Sequence, residues 1–435
     1  MIKIKFVQEL LNSIFEKPIK SKSFNFFAEK KKSISTKDFI DNVSSAKGEV
    51  SALGYAELLM QHCEHLSEND LLDFFKLIRD NYEISAKDLS VAIESYKTEQ
   101  SSNNLINLLK LSEPKRREIF RRCNGISRGT IRLVNIRKRL LKLLKNNSEL
   151  KAVDHDMVYL FKNWFNRGFL ILRPINWETP AHILEKIIAY EAVHQINSWD
   201  ELRARLAPKD RRCFAFFHPA MQDEPIIFVE VALMKGIPSK IEDVLREKRD
   251  ILDPEETSVA VFYSISNCQK GLAGISFGNF LIKQVANDLN LEFKNLKKFI
   301  TLSPVPGLRK WIKNKFPKFD LKLKKCVKPE HFIKVHDMIM NFAAQYLMTS
   351  DRLDGMPNDP VARFHLGNGA SLEQVNFLGD ISPNGLSSSG GIMVNYLYNL
   401  DKLEENHELL VSEKKINISK QAKKNLLKYT KILTK

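Results

Sequence analysis

Three stretches of this 435-residue chain combine polar side chains with a stiffened or glycine-opened backbone. Leu302-Ser303-Pro304-Val305-Pro306-Gly307 sets a hydroxyl at the end of an apolar run, ahead of two prolines that fix the backbone. Taken alone, Ser303 reads either as a turn serine or as a working hydroxyl. No G-x-S-x-G surrounds it, which argues against a hydrolase nucleophile. Ala362-Arg363-Phe364-His365-Leu366-Gly367-Asn368-Gly369-Ala370 puts a histidine in an apolar run that closes on an Asn-Gly turn. Such a histidine is either a satisfied core residue or an acid–base group, and the adjoining glycines leave room for a ligand to come close. In Ser387-Ser388-Ser389-Gly390-Gly391-Ile392-Met393-Val394-Asn395-Tyr396-Leu397-Tyr398 a small-residue turn precedes an apolar segment that reads as the start of a helix. On a helix, Tyr396 and Tyr398 cannot share a face, so one belongs to the core and the other is open to a site. Of the other histidines, His218 in Phe-Phe-His-Pro stands out. With no H-x-x-x-H or H-E-x-x-H pair, no metal is expected.

A fourth stretch, Gln269-Lys270-Gly271-Leu272-Ala273-Gly274-Ile275-Ser276-Phe277-Gly278, lies between a strand-like run ending near Ser264 and a helix-like run from Asn279. Gly271, Gly274 and Gly278 let the backbone approach a ligand without Cβ clashes, and its N–H groups lie next to a helix N-terminus. Gln269 and Lys270 add a hydrogen bond and a charge. The chemistry is that of a phosphate or pyrophosphate site, although a glycine turn before a helix is also a common structural device. Neither the P-loop pattern nor a strict G-x-G-x-x-G is present, which disfavours triphosphatases and dinucleotide enzymes. Gln-x-Gly-x-x-Gly between strand and helix resembles the pyrophosphate loop of the acyl-CoA-binding acetyltransferases.

The elements that must position these groups divide the chain near residue 170. Before it glycine is sparse and helical spacing recurs, as in Leu58, Leu59, His62 and Leu66 and then Leu71, Leu72, Phe75 and Ile78. After it come prolines and strand-like runs at Cys213–His218, Ile226–Leu233, Thr257–Ile265 and Phe299–Leu302, with a helical pattern over Asn279–Phe293. We therefore expect a mixed α+β protein in which residues 1–170 form a helical domain and 171–435 an α/β catalytic domain.

The net charge of +16 concentrates between Lys115 and Lys145, where twelve Lys or Arg face one acid, Glu118. Within it, Ser127–Leu144 has an apolar face and a basic face, which suits either a solvated bundle helix or a nucleic-acid or partner surface. No zinc-finger or RNP-type motif accompanies it, so nucleic acid is not expected as a partner. Five scattered cysteines without C-x-x-C fit a reducing compartment. No run approaches the roughly 18 apolar residues of a membrane span. The first twenty residues carry no signal-peptide h-region, and the final Ile-Leu-Thr-Lys is no peroxisomal address. A soluble, cytoplasmic protein is the expectation.

Several of these strings occur in one order that resembles the malonyl-CoA decarboxylase family. They are Phe217–Glu224–Pro225 with Val231-Ala232-Leu233, Phe262-Tyr263-Ser264-Ile265-Ser266 and Gln269-Lys270-Gly271-Leu272-Ala273-Gly274. Leu302-Ser303-Pro304-Val305-Pro306-Gly307, Phe364-His365 with Asn368-Gly369-Ala370, and Met393-Val394-Asn395-Tyr396-x-Tyr398 complete the set. The likeness spans about Leu71 to His407 and is clearest from Phe169 onward. It implies a helical N-terminal oligomerisation domain and an acetyltransferase-like catalytic domain that releases CO2 from malonyl-CoA to leave acetyl-CoA. It further implies catalytic roles for Ser303 and His365, with Tyr398 in support, and binding of the substrate's coenzyme A by Gln269, Lys270, Gly271, Gly274 and Gly278. No separate cofactor is implied, and a homo-oligomer is. The family's acidic residue in the glycine turn falls on Ser276, so no carboxylate role carries over. A CoA-dependent acyltransferase of the same fold is the competing expectation.

Overall fold

The computed structural model describes residues 35–46, 48–275 and 280–430, so Ser276 and Gly278 lie outside the described residues. The chain divides into two compact units. One is drawn from Met1–Leu170, His218–Asp223 and Gln269–Ser276, the other from Ile171–Phe217, Glu224–Cys268 and Phe277–Lys435.

The first unit is helical over its described residues, with α-helices at Thr36–Ser45, Glu49–His65, Glu68–Asn81, Ala86–Thr98, Ser102–Leu111, Lys115–Asn124, Gly129–Leu143 and Lys151–Trp164. Four of them begin at serine caps: Ser35, Ser67, Ser85 and Ser101 accept from the amides of Asp38, Asp70, Asp88 and Asn104. In the third helix Leu71, Phe74, Phe75 and Ile78 are buried at i, i+3, i+4 and i+7, the apolar stripe of a packed helix. Most arginines of the basic segment are tied down inside this unit, while its lysines are exposed. Arg116 is buried between Asp156 (2.5 Å) and Glu83 (2.5 Å), and Arg117 shares Asp156 at 2.6 Å. Arg132 bridges Glu57 (2.9 Å) and Glu64 (2.6 Å), while Arg139 donates to the Cys63 and Leu66 carbonyls at 3.1 and 2.6 Å. The arginines on the basic face act as ties between helices.

The second unit is built on an eight-stranded sheet. Its strands are β1 (Ile171–Ile175), β2 (Arg211–Phe217), β3 (Ile227–Met234), β4 (Val259–Asn267), β5 (Lys298–Thr301), β6 (Ser303–Pro304), β7 (Ser371–Asn376) and β8 (Met393–Tyr398). The order is β1-β2-β3-β4-β5-β8-β6, with β7 on β8. All pairs are antiparallel except β4–β5, which runs parallel. A parallel pair needs a crossover, and the helix Phe280–Glu292 supplies it. An antiparallel meander followed by one parallel crossover pair is the acetyltransferase-like arrangement anticipated above.

Strand alternation sorts the core. Phe299, Val394, Tyr396 and Tyr398 join one buried cluster with Val285, Leu289 and Leu366; Ile300, Leu302 and Met393 join another with Val261 and Tyr263.

Met393–Tyr398 is a strand, which corrects the helix expected there. The helix lies earlier, at Pro383–Ser389, and stops at Gly390 and Gly391, both with positive φ (68° and 80°). A period of two then places Tyr396 and Tyr398 on one face, where both are buried. The division of the two tyrosines between core and site does not survive.

Candidate active site

Ser303 and His365 meet at the edge of the sheet, although 62 positions separate them in sequence. Thr301 and Ser303 are two residues apart on the segment that passes from β5 to β6, so their side chains lie on one face. The Ser303 hydroxyl donates to Thr301 Oγ1 at 2.9 Å, and Thr301 Oγ1 also accepts from the Tyr396 amide at 3.1 Å. Thr301 is held in turn from its backbone, because Asn395 Nδ2 donates to its carbonyl at 2.9 Å.

His365 comes from the helix Pro360–Gly367. Asp359 caps that helix, accepting from Val361 (2.9 Å) and Ala362 (3.0 Å), and Pro360 occupies the first turn. The second carboxylate oxygen of Asp359 accepts from the Gly307 amide at 3.4 Å. One buried acid thus ties the histidine's helix to the turn that follows Ser303. Gly307 must lack a side chain, since a Cβ there would sit 2.1 Å from the Tyr346 hydroxyl. The helix ends at Gly369 (φ +80°), where a Cβ would collide with the Leu403 carbonyl at 2.1 Å.

The imidazole is fixed on both nitrogens and on one face. Nε2 lies 3.0 Å from Ser303 Oγ, Nδ1 lies 2.8 Å from the Tyr398 hydroxyl, and the ring stacks on Tyr396 with centroids 4.8 Å apart. Since Ser303 donates to Thr301, its oxygen accepts the Nε2 proton, and Nδ1 accepts from Tyr398. Burial pushes the His365 pKa down to about 3, and among the described residues no carboxylate counters it. Burial likewise pushes the Tyr396 and Tyr398 hydroxyls well up. All four groups are therefore neutral, and the chain of donors runs Tyr398 to His365 to Ser303 to Thr301. Such an array stabilises negative charge that develops next to it and passes a proton without carrying a charge at rest.

The sequence singled out Ser303, His365 and Tyr398, and the structure brings them together. It missed Thr301, Tyr396 and Asp359. Thr301 was accessible through period-two spacing from Ser303, and Asp359 through the Asp-Pro helix start.

The described residues of the glycine turn, Gln269–Ile275, belong to the first unit. Gln269 is buried, Lys270 is exposed, and Gly274 adopts φ +78° with open space on its Cβ side. His218 is a core residue: Nε2 faces the Trp164 carbonyl at 3.0 Å and Nδ1 accepts from Ala220 at 3.1 Å. Among the described residues no group of three potential metal ligands converges, and no helix is long and apolar enough to cross a membrane.

The malonyl-CoA decarboxylase C-terminal domain model matches residues 168–434, and the corresponding N-terminal domain model matches residues 82–165. The goose (Anser anser anser) mitochondrial malonyl-CoA decarboxylase is 35% identical over 351 residues, covering 71% of this chain and 68% of that protein. The crystal structure of malonyl-CoA decarboxylase from Rhodopseudomonas palustris superposes with a TM-score of 0.84 at 43% identity, covering 90% of this chain and 100% of that one. The Agrobacterium vitis enzyme gives the same TM-score at 46% identity, over 90% and 99% of the two chains. Matches on this scale, in sequence and in fold, show that the chain belongs to the malonyl-CoA decarboxylase family.

Proposed function

We propose that the chain is a carboxy-lyase that converts malonyl-CoA to acetyl-CoA and CO2, with Ser303 and His365 as its catalytic residues and Tyr398 in support. The observation that carries this assignment is the uncharged, buried Ser303–His365–Tyr398 relay in a chain of this family. As the Cα–carboxylate bond breaks, CO2 leaves and the electron pair passes into the thioester carbonyl as an enolate. The α-carbon then takes one proton. The thioester is the electron sink, so no separate cofactor takes part.

A neutral imidazole is a weak acid that hydrogen-bonds an enolate oxygen without drawing a full charge into the pocket. His365 Nε2–H does this work through Ser303: the Ser303 hydroxyl hands its proton to carbon and takes up the Nε2 proton in its place, and the relay recovers from solvent the one proton that the reaction consumes. Tyr398 keeps Nδ1 as the acceptor, which holds the Nε2 tautomer in place. β4 and β5 pair only as far as Phe262 and Thr301, after which β4 continues to Asn267. An unpaired strand edge accepts an extended amide chain, and the pantetheine arm is such a chain. Gln269, Lys270, Gly271, Gly274 and Gly278 are assigned to the pyrophosphate. Action in the cytoplasm as a homo-oligomer belongs to the same proposal, although the goose and rat relatives are mitochondrial by name.

Purified protein given malonyl-CoA without an acceptor is expected to release CO2 and acetyl-CoA. Turnover only of acetyl-CoA, and only with an added amine, would instead identify an acyltransferase. Tyr398→Phe removes one hydrogen bond of about 1 kcal/mol and is expected to lower kcat roughly fivefold at unchanged KM. Steady-state kinetics on malonyl-CoA checks this, and a kcat equal to wild type would remove Tyr398 from the relay.

A further inference from the structure

Arg137 differs from the other arginines of the basic segment in what it holds. It is 2% exposed and lies on the helix Gly129–Leu143. Its Nε donates to Asp154 Oδ1 at 2.7 Å, while Nη1 donates to the carbonyls of Gly271 and Ala273 at 2.6 and 2.9 Å. These are the peptides of the glycine turn. Val134, three residues earlier and so on the same helix face, presses on the same place: a Cβ at Gly271 would lie 1.9 Å from its carbonyl oxygen.

The geometry of the peptide bond carries the consequence. In a trans peptide the N–H of the next residue points opposite to the carbonyl. With the Ala273 carbonyl fixed on Arg137, the Gly274 N–H points away from the guanidinium. The Leu272 N–H is used inside the turn, donating to Gln269 at 2.9 Å. A guanidinium at the carbonyl end of a peptide also polarises it and makes its N–H a better donor to an anion.

We propose that Arg137 is a positioning residue for substrate affinity, which fixes the turn so that the Gly274 N–H meets the pyrophosphate of an acyl-CoA. This rests on the assignment of the described turn residues Gln269–Gly274 to that phosphate group.

The test uses the full chain and two substrates, malonyl-CoA and malonyl-pantetheine, which lacks every phosphate. Arg137→Met is expected to raise KM for malonyl-CoA roughly tenfold, the scale of a lost hydrogen bond to a charged group, with kcat near wild type. KM for malonyl-pantetheine should not move. Arg137→Lys, with one terminal ammonium in place of the fork, should recover part of the affinity. It also carries the test if the methionine variant fails to fold.

Wild type and Lys270→Ala control the underlying assignment. If wild type shows equal KM for both substrates, or Lys270→Ala leaves the gap between them intact, the turn does not read phosphate and the proposal falls with it. If Lys270→Ala narrows the gap but both Arg137 variants keep it, the turn assignment stands and the role of Arg137 is overturned. An equal rise in KM for both substrates, or a loss of kcat alone, would mark Arg137 as merely structural and would also overturn it.

Discussion

His365→Ala is expected to lower kcat for malonyl-CoA by about 10²-fold or more while leaving KM within a few-fold of wild type. Hydrogen-bond stabilisation of a developing oxyanion contributes roughly 10²–10³ in rate, and proton transfer by a placed side chain roughly 10²–10⁴. The imidazole is where both effects converge, since its Nε2 faces Ser303 and its Nδ1 is fixed by Tyr398. Binding of the coenzyme A portion is assigned elsewhere, so KM should hold. His365→Gln retains a donor and should lose less. The pH dependence sharpens the assignment. With the pKa pushed down to about 3 by burial, His365 stays neutral across the working range, and kcat should show no break near 6.5. Stability has a definite sign too. Between pH 6.5 and 3 the unfolded chain takes up a proton that the native histidine refuses. Its contribution is therefore complete above about pH 6.5 and declines as pH falls toward 3. A kcat break near 6.5 that disappears in His365→Ala would mean that the charged form does the chemistry.

Ser303→Ala is expected to cost about 10²-fold in kcat, again with KM largely kept, because the hydroxyl is both the acceptor for His365 and the donor to Thr301. It should also leave the buried Nε2–H and Thr301 Oγ1 each one partner short, a stability loss of about 1–3 kcal/mol. A thermal melt alongside the kinetics separates the two effects. Ser303→Thr keeps the hydroxyl, and a crowded but active variant would show that the oxygen, not the packing, matters. Retention of wild-type kcat in Ser303→Ala would exclude Ser303 from the reaction.

The fold was legible where local pattern and burial agree. β2, β3 and β4 announce themselves as apolar runs, and the crossover helix as a 3.6-period stripe, because each is buried by neighbours of its own kind. β1, with Pro174 inside it, carries little strand signal because it lies at the sheet's edge and needs no ladder partner on one side. β8 misled for a different reason. Its tyrosines, methionine and asparagine suit a helix or a strand equally, and only pairing with β5, β6 and β7 decides between them. For the site, Ser303 and His365 were visible from the stiff or glycine-rich backbone beside them. Thr301 could be reached by its period-two spacing from Ser303, but its partner, the Tyr396 amide, comes from a distant strand, as does the stacking of Tyr396 on His365. The basic helix shows the same limit: its charge was plain in sequence, but the acids and carbonyls that absorb it come from other helices.

The most direct measurement is a short incubation of the purified chain with malonyl-CoA in D2O, with no acceptor and no added cofactor. Decarboxylation through an enolate predicts one CO2 and one acetyl-CoA for each malonyl-CoA consumed, the methyl group carrying a single deuterium taken up at the protonation step. Consumption of malonyl-CoA without CO2, with free malonate or an acylated product in its place, would contradict it.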